Sequence, residues 1–251
     1  SNYVWNSQLS YRFAEAIKAK FPRTVVVMGG PNFPLSQEHQ ELFLRSRPAI
    51  DFFVEKEGDL AFCNLVKRLM ELEFDIDHVK EERLGNIRAI AADGTFFAGP
   101  ILKRISDLSE IPSPYLSGKL DEFFDGKLMP IIQTTRGCPF TCTYCVEGNN
   151  YYSRKFRKSS ETLQAEIDYI GRKMKQFCDT GGRNDLFIAD SNFGMYKEDV
   201  ETSQFIAKSQ DKYGWPNYII CSTGKNQHER VMEVSKIVRG RIRVSGSVQS
   251  T

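Results

Sequence analysis

Residues 129–145, MPIIQTTRGCPFTCTYC, carry an apolar strand signal straight into a loop with three of the chain's six cysteines. The β-branched run PIIQTT reads as a strand, and Arg136-Gly137 ends it. Cys138, Cys142 and Cys145 follow at C-x3-C-x2-C spacing, with no histidine nearby. In barrels of parallel strands the chemistry sits on loops at the strands' C-terminal ends, which is where this loop falls. The same spacing also fits one face of a helix, where cysteine acts as a small buried hydrophobe. Gly137 before the run, Pro139 inside it and an apolar pattern that stops at Val146 argue against that helix.

Downstream, a helix is expected from about Ser160, with Leu163, Ile167, Ile170, Met174 and Phe177 on one stripe. Strand LFIAD, a helix from about Lys197, strand NYIICS, a helix carrying Val231, Val234 and Ile237, and strand RIRVSGSV follow. Four strands separated by three helices predict a parallel βα series, a partial (β/α) barrel over 129–251. Upstream, residues 75–128 read as a linker with a hairpin turned at Asp93-Gly94, followed by the Pro- and Ser-rich EIPSPYLSG. Residues 1–74 alternate helix and strand, with TVVVMGGP and IDFFV as strands, and predict a partial doubly wound, Rossmann-like α/β lobe. In its first helix Leu9, Phe13, Ala14 and Ile17 recur at helical spacing.

The 251 residues are enough for one large domain or two modest ones, and two are expected. Lys plus Arg number 34 against 32 Asp plus Glu, so a net charge of +2 exerts no strong pull toward nucleic acid or membrane. No apolar run approaches the roughly 18 to 20 residues that cross a bilayer, and a secretion signal is missing. The expectation is a cytoplasmic protein with no membrane association. A chain without an initiator Met that stops on a strand pattern reads as a fragment. Six cysteines so unevenly placed do not form a disulfide framework, so the cluster reads as metal-binding or catalytic.

A closed structural zinc site wants four protein ligands, usually as two separated pairs, and neither a second pair nor a histidine accompanies the triad. A cubane [4Fe-4S] cluster is normally held by four thiolates; three leave one iron free to bind something that reacts. The stretch resembles the radical S-adenosylmethionine (SAM) superfamily, whose C-x3-C-x-aromatic-C signature is matched with Tyr144 in the aromatic place. The resemblance implies that Cys138, Cys142 and Cys145 hold three irons while the fourth chelates SAM, and that the reduced cluster cleaves SAM to methionine and a 5′-deoxyadenosyl radical. It also implies a flavodoxin- or ferredoxin-type external electron donor and a small-molecule substrate rather than nucleic acid.

FIADSNFG resembles the Asp-x-x-Phe of members with a cobalamin (B12)-binding domain, which implies cofactor contacts from Asp190 and Asn192; a turn or cap role is equally open. Ser222, after the next strand, is a weaker candidate. On the last strand Ser245, Ser247 and Gln249 share one face, and the resemblance gives Gln249 and Ser247 a contact to the SAM ribose. VVVMGGPNFP with DFFVEKEGDLAF resembles the second half of that class's cobalamin domain, and SNYVWN and EIPSPYL fit it too. Gly29 and Gly30 would let a ligand approach the backbone closely at a strand end, or simply make a tight turn. The class's Asp-x-His-x-x-Gly stretch does not occur here. The expectation is a radical SAM enzyme that modifies an unreactive carbon, with cobalamin-dependent methylation as one form. The alternatives are a non-catalytic iron–sulfur or zinc module and an RNA-modifying, methylthiotransferase-like radical enzyme.

Overall fold

The computed structural model describes residues 2–244. The chain divides into two compact units, Ser1–Arg104 and Ile105–Thr251.

The first unit runs α1 (Ser7–Lys20), β1 (Val27–Gly29), α2 (Gln37–Arg45), β2 (Phe52–Val54), α3 (Gly58–Glu71), α4 (Ile76–Glu81), β3 (Ile87–Ile90) and β4 (Phe96–Ala98). Its sheet has the order β1-β2-β3-β4, with β1 parallel to β2 and the other neighbours antiparallel. The parallel, doubly wound pattern expected for this lobe is thus confined to one pair. β1–α2–β2 makes the parallel crossover, but two helices, α3 and α4, lie between β2 and β3 and return the chain so that β3 runs antiparallel to β2, and the tight Asp93-Gly94 turn sends β4 back along β3. That hairpin, expected within a linker, completes the sheet. One face buries Phe52, Leu65, Leu69, Ile87 and Ala89; the other packs Phe53 against Leu44 and Ile50, with Phe33 stacked on Phe53 at 3.8 Å. In α1 only Ser7 and Ala14 are buried, while Leu9, Phe13 and Ile17 are exposed.

The second unit runs β5 (Ile131–Ile132), β6 (Thr135–Arg136), β7 (Phe156–Arg157), α5 (Ser160–Cys178), β8 (Asp185–Phe193), α6 (Lys197–Tyr213), β9 (Tyr218–Thr223) and α7 (His228–Ile237). Its main sheet, β5-β8-β9, is all parallel, so the C-terminal ends of its strands share one edge. Ser159 caps α5 by accepting from Thr162 N, and Gly214 ends α6 in the left-handed region. The stripe expected on α5 is buried from Leu163 to Met174 against Leu186, Ile188, Ile206 and Trp215. Ile242 makes one parallel bridge to Ile219, where the expected fourth strand begins; Ser245, Ser247 and Gln249 lie outside the described residues. Among the described residues the parallel sheet is open, with three strands rather than a closed barrel.

One departure shapes the site. The strand expected over PIIQTT breaks after Ile132, and its continuation β6 pairs antiparallel with β7. YYSRKFRKSS, whose mix of aromatic and basic residues reads as a solvated loop rather than an RNA-contacting surface, therefore folds back beside the cysteine segment.

Candidate functional site

The cysteine loop is held by its own backbone. Gly137 has φ +113°, and a Cβ there would lie 2.3 Å from Arg154 O. The Cys138 N–H donates to Tyr152 O at 2.9 Å, so the 150–154 segment lies against the start of the loop. Cys145 N–H donates to Cys142 O at 3.1 Å, and Gly148 N–H to Cys145 O at 3.0 Å. A Cβ on Gly148 would lie 2.1 Å from Cys142 O, so only glycine permits this fold-over. The three cysteines lie between β6 and a short 3-10 turn, Val146–Gly148, and not on a helix face. All are free thiols: Cys138 is buried, Cys142 half-buried and Cys145 exposed.

The end of β8 lies against this loop. Leu186, Ile188, Asp190 and Asn192 alternate onto the buried side of β8, and where the register with β9 shifts between Ile188 and Phe193 the alternation ends with Phe193 buried as well. Asn192 Nδ2 donates to Cys138 Sγ at 3.3 Å. Asp190 is occupied otherwise: Oδ1 accepts from Thr134 N at 2.8 Å and Oδ2 from Thr134 Oγ1 at 2.5 Å. Burial pushes its carboxyl up to about 6, against the lowering effect of these bonds. Asp199 is likewise pushed up to about 6 by burial; its Oδ2 accepts from Gly194 N and Tyr196 N at the start of α6. Burial, then the neighbouring Cys138, raises the Tyr196 phenol, and its Oη has no hydrogen-bond partner among the described residues.

Thr134 and Tyr196 were not anticipated. Thr134 meets Asp190 across 56 positions of sequence, and Tyr196 is brought in by the turn after β8, so no local pattern flagged either.

Beside the loop, at the ends of β8 and β9, a cavity of about 540 Å³ is lined by Pro139, Phe140, Met195, Tyr196, Asn226 and Arg230. Arg230 is anchored through Nη1 to Met195 O, and Lys155 pairs with Glu198 at 3.1 Å on the rim. Of the expected contacts, Asn192 and Tyr144 are brought to the cysteines: Tyr144 is exposed, and its phenol is raised first by its hydrogen bond to Cys142. Ser222 is exposed on β9. Gly29 and Gly30 belong to the first unit, where with Val54, Lys56, Gly58 and Phe62 they line a cavity of about 630 Å³ at the ends of β1 and β2.

Among the described residues no three His, Cys, Asp or Glu side chains are gathered tightly enough to hold one metal ion. A single zinc needs every sulfur about 2.3 Å from one point. A multi-iron cluster is gripped at separate irons, which lets its cysteines stand further apart. Three thiols on one backbone-pinned loop, one of them buried and backed by an amide donor, suit the second kind of group in their donor chemistry.

The site is thus a three-cysteine loop with an adjoining cavity at the C-terminal edge of a parallel α/β sheet, and the chain as a whole is similar to known proteins. No family model matches the chain. It is 29% identical over 242 residues to the cobalamin-dependent radical SAM methyltransferase TokK of Streptomyces tokunonensis. It is 30% identical, also over 242 residues, to the 2-(S-pantetheinyl)-carbapenam-3-carboxylate methyltransferase of Streptantibioticus cattleyicolor. Each match covers 94% of this chain and 33% of the relative, so the chain spans about a third of their length. Its fold is similar to that of the cobalamin-dependent SAM radical enzyme OxsB (TM-score 0.59, 18% identity, 92% of this chain and 32% of that one). It also resembles the radical SAM methyltransferase TsrM of Kitasatospora setae (TM-score 0.60, 14% identity, 94% and 44%). The resemblance to the radical SAM superfamily, in its cobalamin-binding-domain class, is borne out.

Proposed function

We propose that the protein is a radical SAM enzyme in which Cys138, Cys142 and Cys145 hold a [4Fe-4S] cluster and the cavity beside them receives SAM. The observation that carries this is the three-thiol loop, pinned by Gly137 and Gly148 at the C-terminal edge of the parallel sheet and opening on a cavity of about 540 Å³. When bound, the cluster would supply one electron to split the SAM sulfonium, yielding a 5′-deoxyadenosyl radical, and a corrinoid would supply a transferable methyl group.

The chain's own residues do the rest. Cys138 is the dry anchor, while Cys142 is half-buried and Cys145 exposed. Thr134 and Asp190 tie the end of the first strand to β8, holding the base of the loop to the sheet. Tyr196 and Arg230 line the cavity with a phenol and a guanidinium, suited to the polar ends of SAM. Asp190 supports the site from below through Thr134, and Ser222, Ser247 and Gln249 keep their expected part in SAM binding as proposals. The second unit is part of a (β/α) barrel on this reading, which the parallel sheet β5-β8-β9 and the bridge of Ile242 to Ile219 support. The first unit is a partial Rossmann-like, cobalamin-type lobe, with Gly29 and Gly30 opening the strand ends to a corrinoid. The names of the relatives support methylation of a small molecule as the reaction; an external flavodoxin- or ferredoxin-type donor and a cytoplasmic setting are parts of the same proposal. No helix among the described residues is long and apolar enough to cross a membrane.

The test is anaerobic incubation of cluster-loaded full-length protein with SAM and a one-electron reductant. The expected result is conversion of SAM to methionine and 5′-deoxyadenosine, lost when any of the three cysteines is replaced. A fully loaded protein that leaves SAM intact would overturn the assignment.

A further inference from the structure

The sequence suggests Asn192 as a cofactor contact, and in the fold its amide is directed at Cys138. The regular alternation of β8, which puts Leu186, Ile188, Asp190 and Asn192 on its buried side, turns this side chain inward, where Nδ2 donates to Cys138 Sγ at 3.3 Å; Asn192 is 4% exposed and Cys138 9%. We propose that Asn192 is a positioning residue that orients the Cys138 sulfur and, through an N–H···S bond, makes the metal centre on that thiolate easier to reduce. This rests on the reading that the three cysteines hold an iron–sulfur cluster.

The physical argument is electrostatic. Reduction adds negative charge to a cluster and spreads part of it onto the ligating sulfurs. A donor pointed at a sulfur stabilises that charge, which is one of the terms that set cluster potentials. Hydrogen bonds count for more where water is excluded, and Asn192 and Cys138 are both buried. The contrast lies within the same loop: Tyr144 meets Cys142, but it is 68% exposed, so solvent can replace its phenol as a donor. The three thiolates are therefore inequivalent, with Cys138 alone backed by a buried amide donor among the described hydrogen bonds. Support of a metal ligand by an outer donor commonly governs both ligand orientation and electronics.

The experiment is an EPR-monitored redox titration of full-length, cluster-loaded protein without SAM, comparing wild type with Asn192→Leu, the isosteric Asn192→Asp, Asn192→Gln and Tyr144→Phe. Leu removes the donor, and Asp replaces it with a negative oxygen. Both are expected to shift the equilibrium roughly tenfold toward the oxidised cluster, about 59 mV more negative for one electron. Asn192→Gln, which keeps an amide, should recover part of the shift, and Tyr144→Phe should move the potential little. If the Leu protein does not fold or load, the Asp variant decides alone. Full iron content with an unchanged potential in both would overturn the proposal; weaker SAM binding by those same variants in a parallel binding assay would then make Asn192 a ligand contact instead. A wild type that takes up no iron–sulfur cluster would bring down the underlying reading instead, and the proposal with it.

Discussion

The two units each open a cavity at the C-terminal ends of parallel strands, and they do so by different means. In the first, Gly29 and Gly30 leave room at the ends of β1 and β2, and what they offer is mostly shape. Gly30, at φ +125°, is also where Asn2 crosses: a Cβ would lie 2.5 Å from Asn2 N. In the second, glycines serve specific chemistry, because Gly137 and Gly148 fold a short loop that carries three free thiols. Glycine-lined space is permissive and admits many ligands. Three thiolates on a pinned loop admit few.

The sharpest way to break this contrast is at the cysteines. Replacing Cys138, Cys142 or Cys145 with Ala should abolish or nearly abolish iron and sulfide uptake by the anaerobically purified full-length protein, measured by elemental analysis. Unchanged corrinoid content in the same samples would show the two cavities to be independent. Crossed glycine substitutions come next. Gly148→Ala must displace the Cys142 backbone and should cut iron content several-fold with corrinoid retained, while Gly30→Ala should do the reverse, both read from absorbance spectra. Loss of both groups in both variants would erase the distinction.

A smaller effect separates support from chemistry. Ile188 is fully buried in β8 beneath the site, so Ile188→Ala should cost about 2–5 kcal/mol in chemical denaturation, as such core truncations do. Smaller again is a pH effect at Asp190. Its folded-state carboxyl sits at about 6, above the usual 3.8, so the folded state holds the proton more tightly than the unfolded one. Stability from this group is therefore present at low pH and is lost as pH rises from about 4 through about 6. Asp190→Asn keeps an acceptor for Thr134 N and should flatten that decline, by roughly 1–3 kcal/mol across the window, in denaturant melts at successive pH values. An unchanged slope would mean that water reaches the carboxylate.

Much of the second unit was legible because its signals are local. The stripe of α5, the strands β8 and β9 and the cysteine spacing each lie within a short window. The hairpin at Asp93-Gly94 was legible for the same reason, but its membership of the first sheet was not, since a turn fixes the direction of its own strands and not the sheet they join. The β6–β7 pair escaped because two residues per strand carry no alternation. In α1 the spacing of Leu9, Phe13 and Ile17 correctly marked a helix, yet those side chains are exposed. Periodicity identifies a face without saying that anything covers it. At the site, residue types were readable and partners were not. Asp190 meets Thr134, and Asn192 meets Cys138, across 56 and 54 positions of sequence, a pairing that no local pattern carries.

The central claim is that three thiolates grip a four-iron core and leave one iron for SAM. Mössbauer spectroscopy of iron-57-loaded full-length protein, with and without SAM, tests it most directly. The account predicts about four irons per loop, one of which changes its signature when SAM is added while three do not. Four equivalent irons indifferent to SAM, or a loop that takes up a single metal ion, would contradict it.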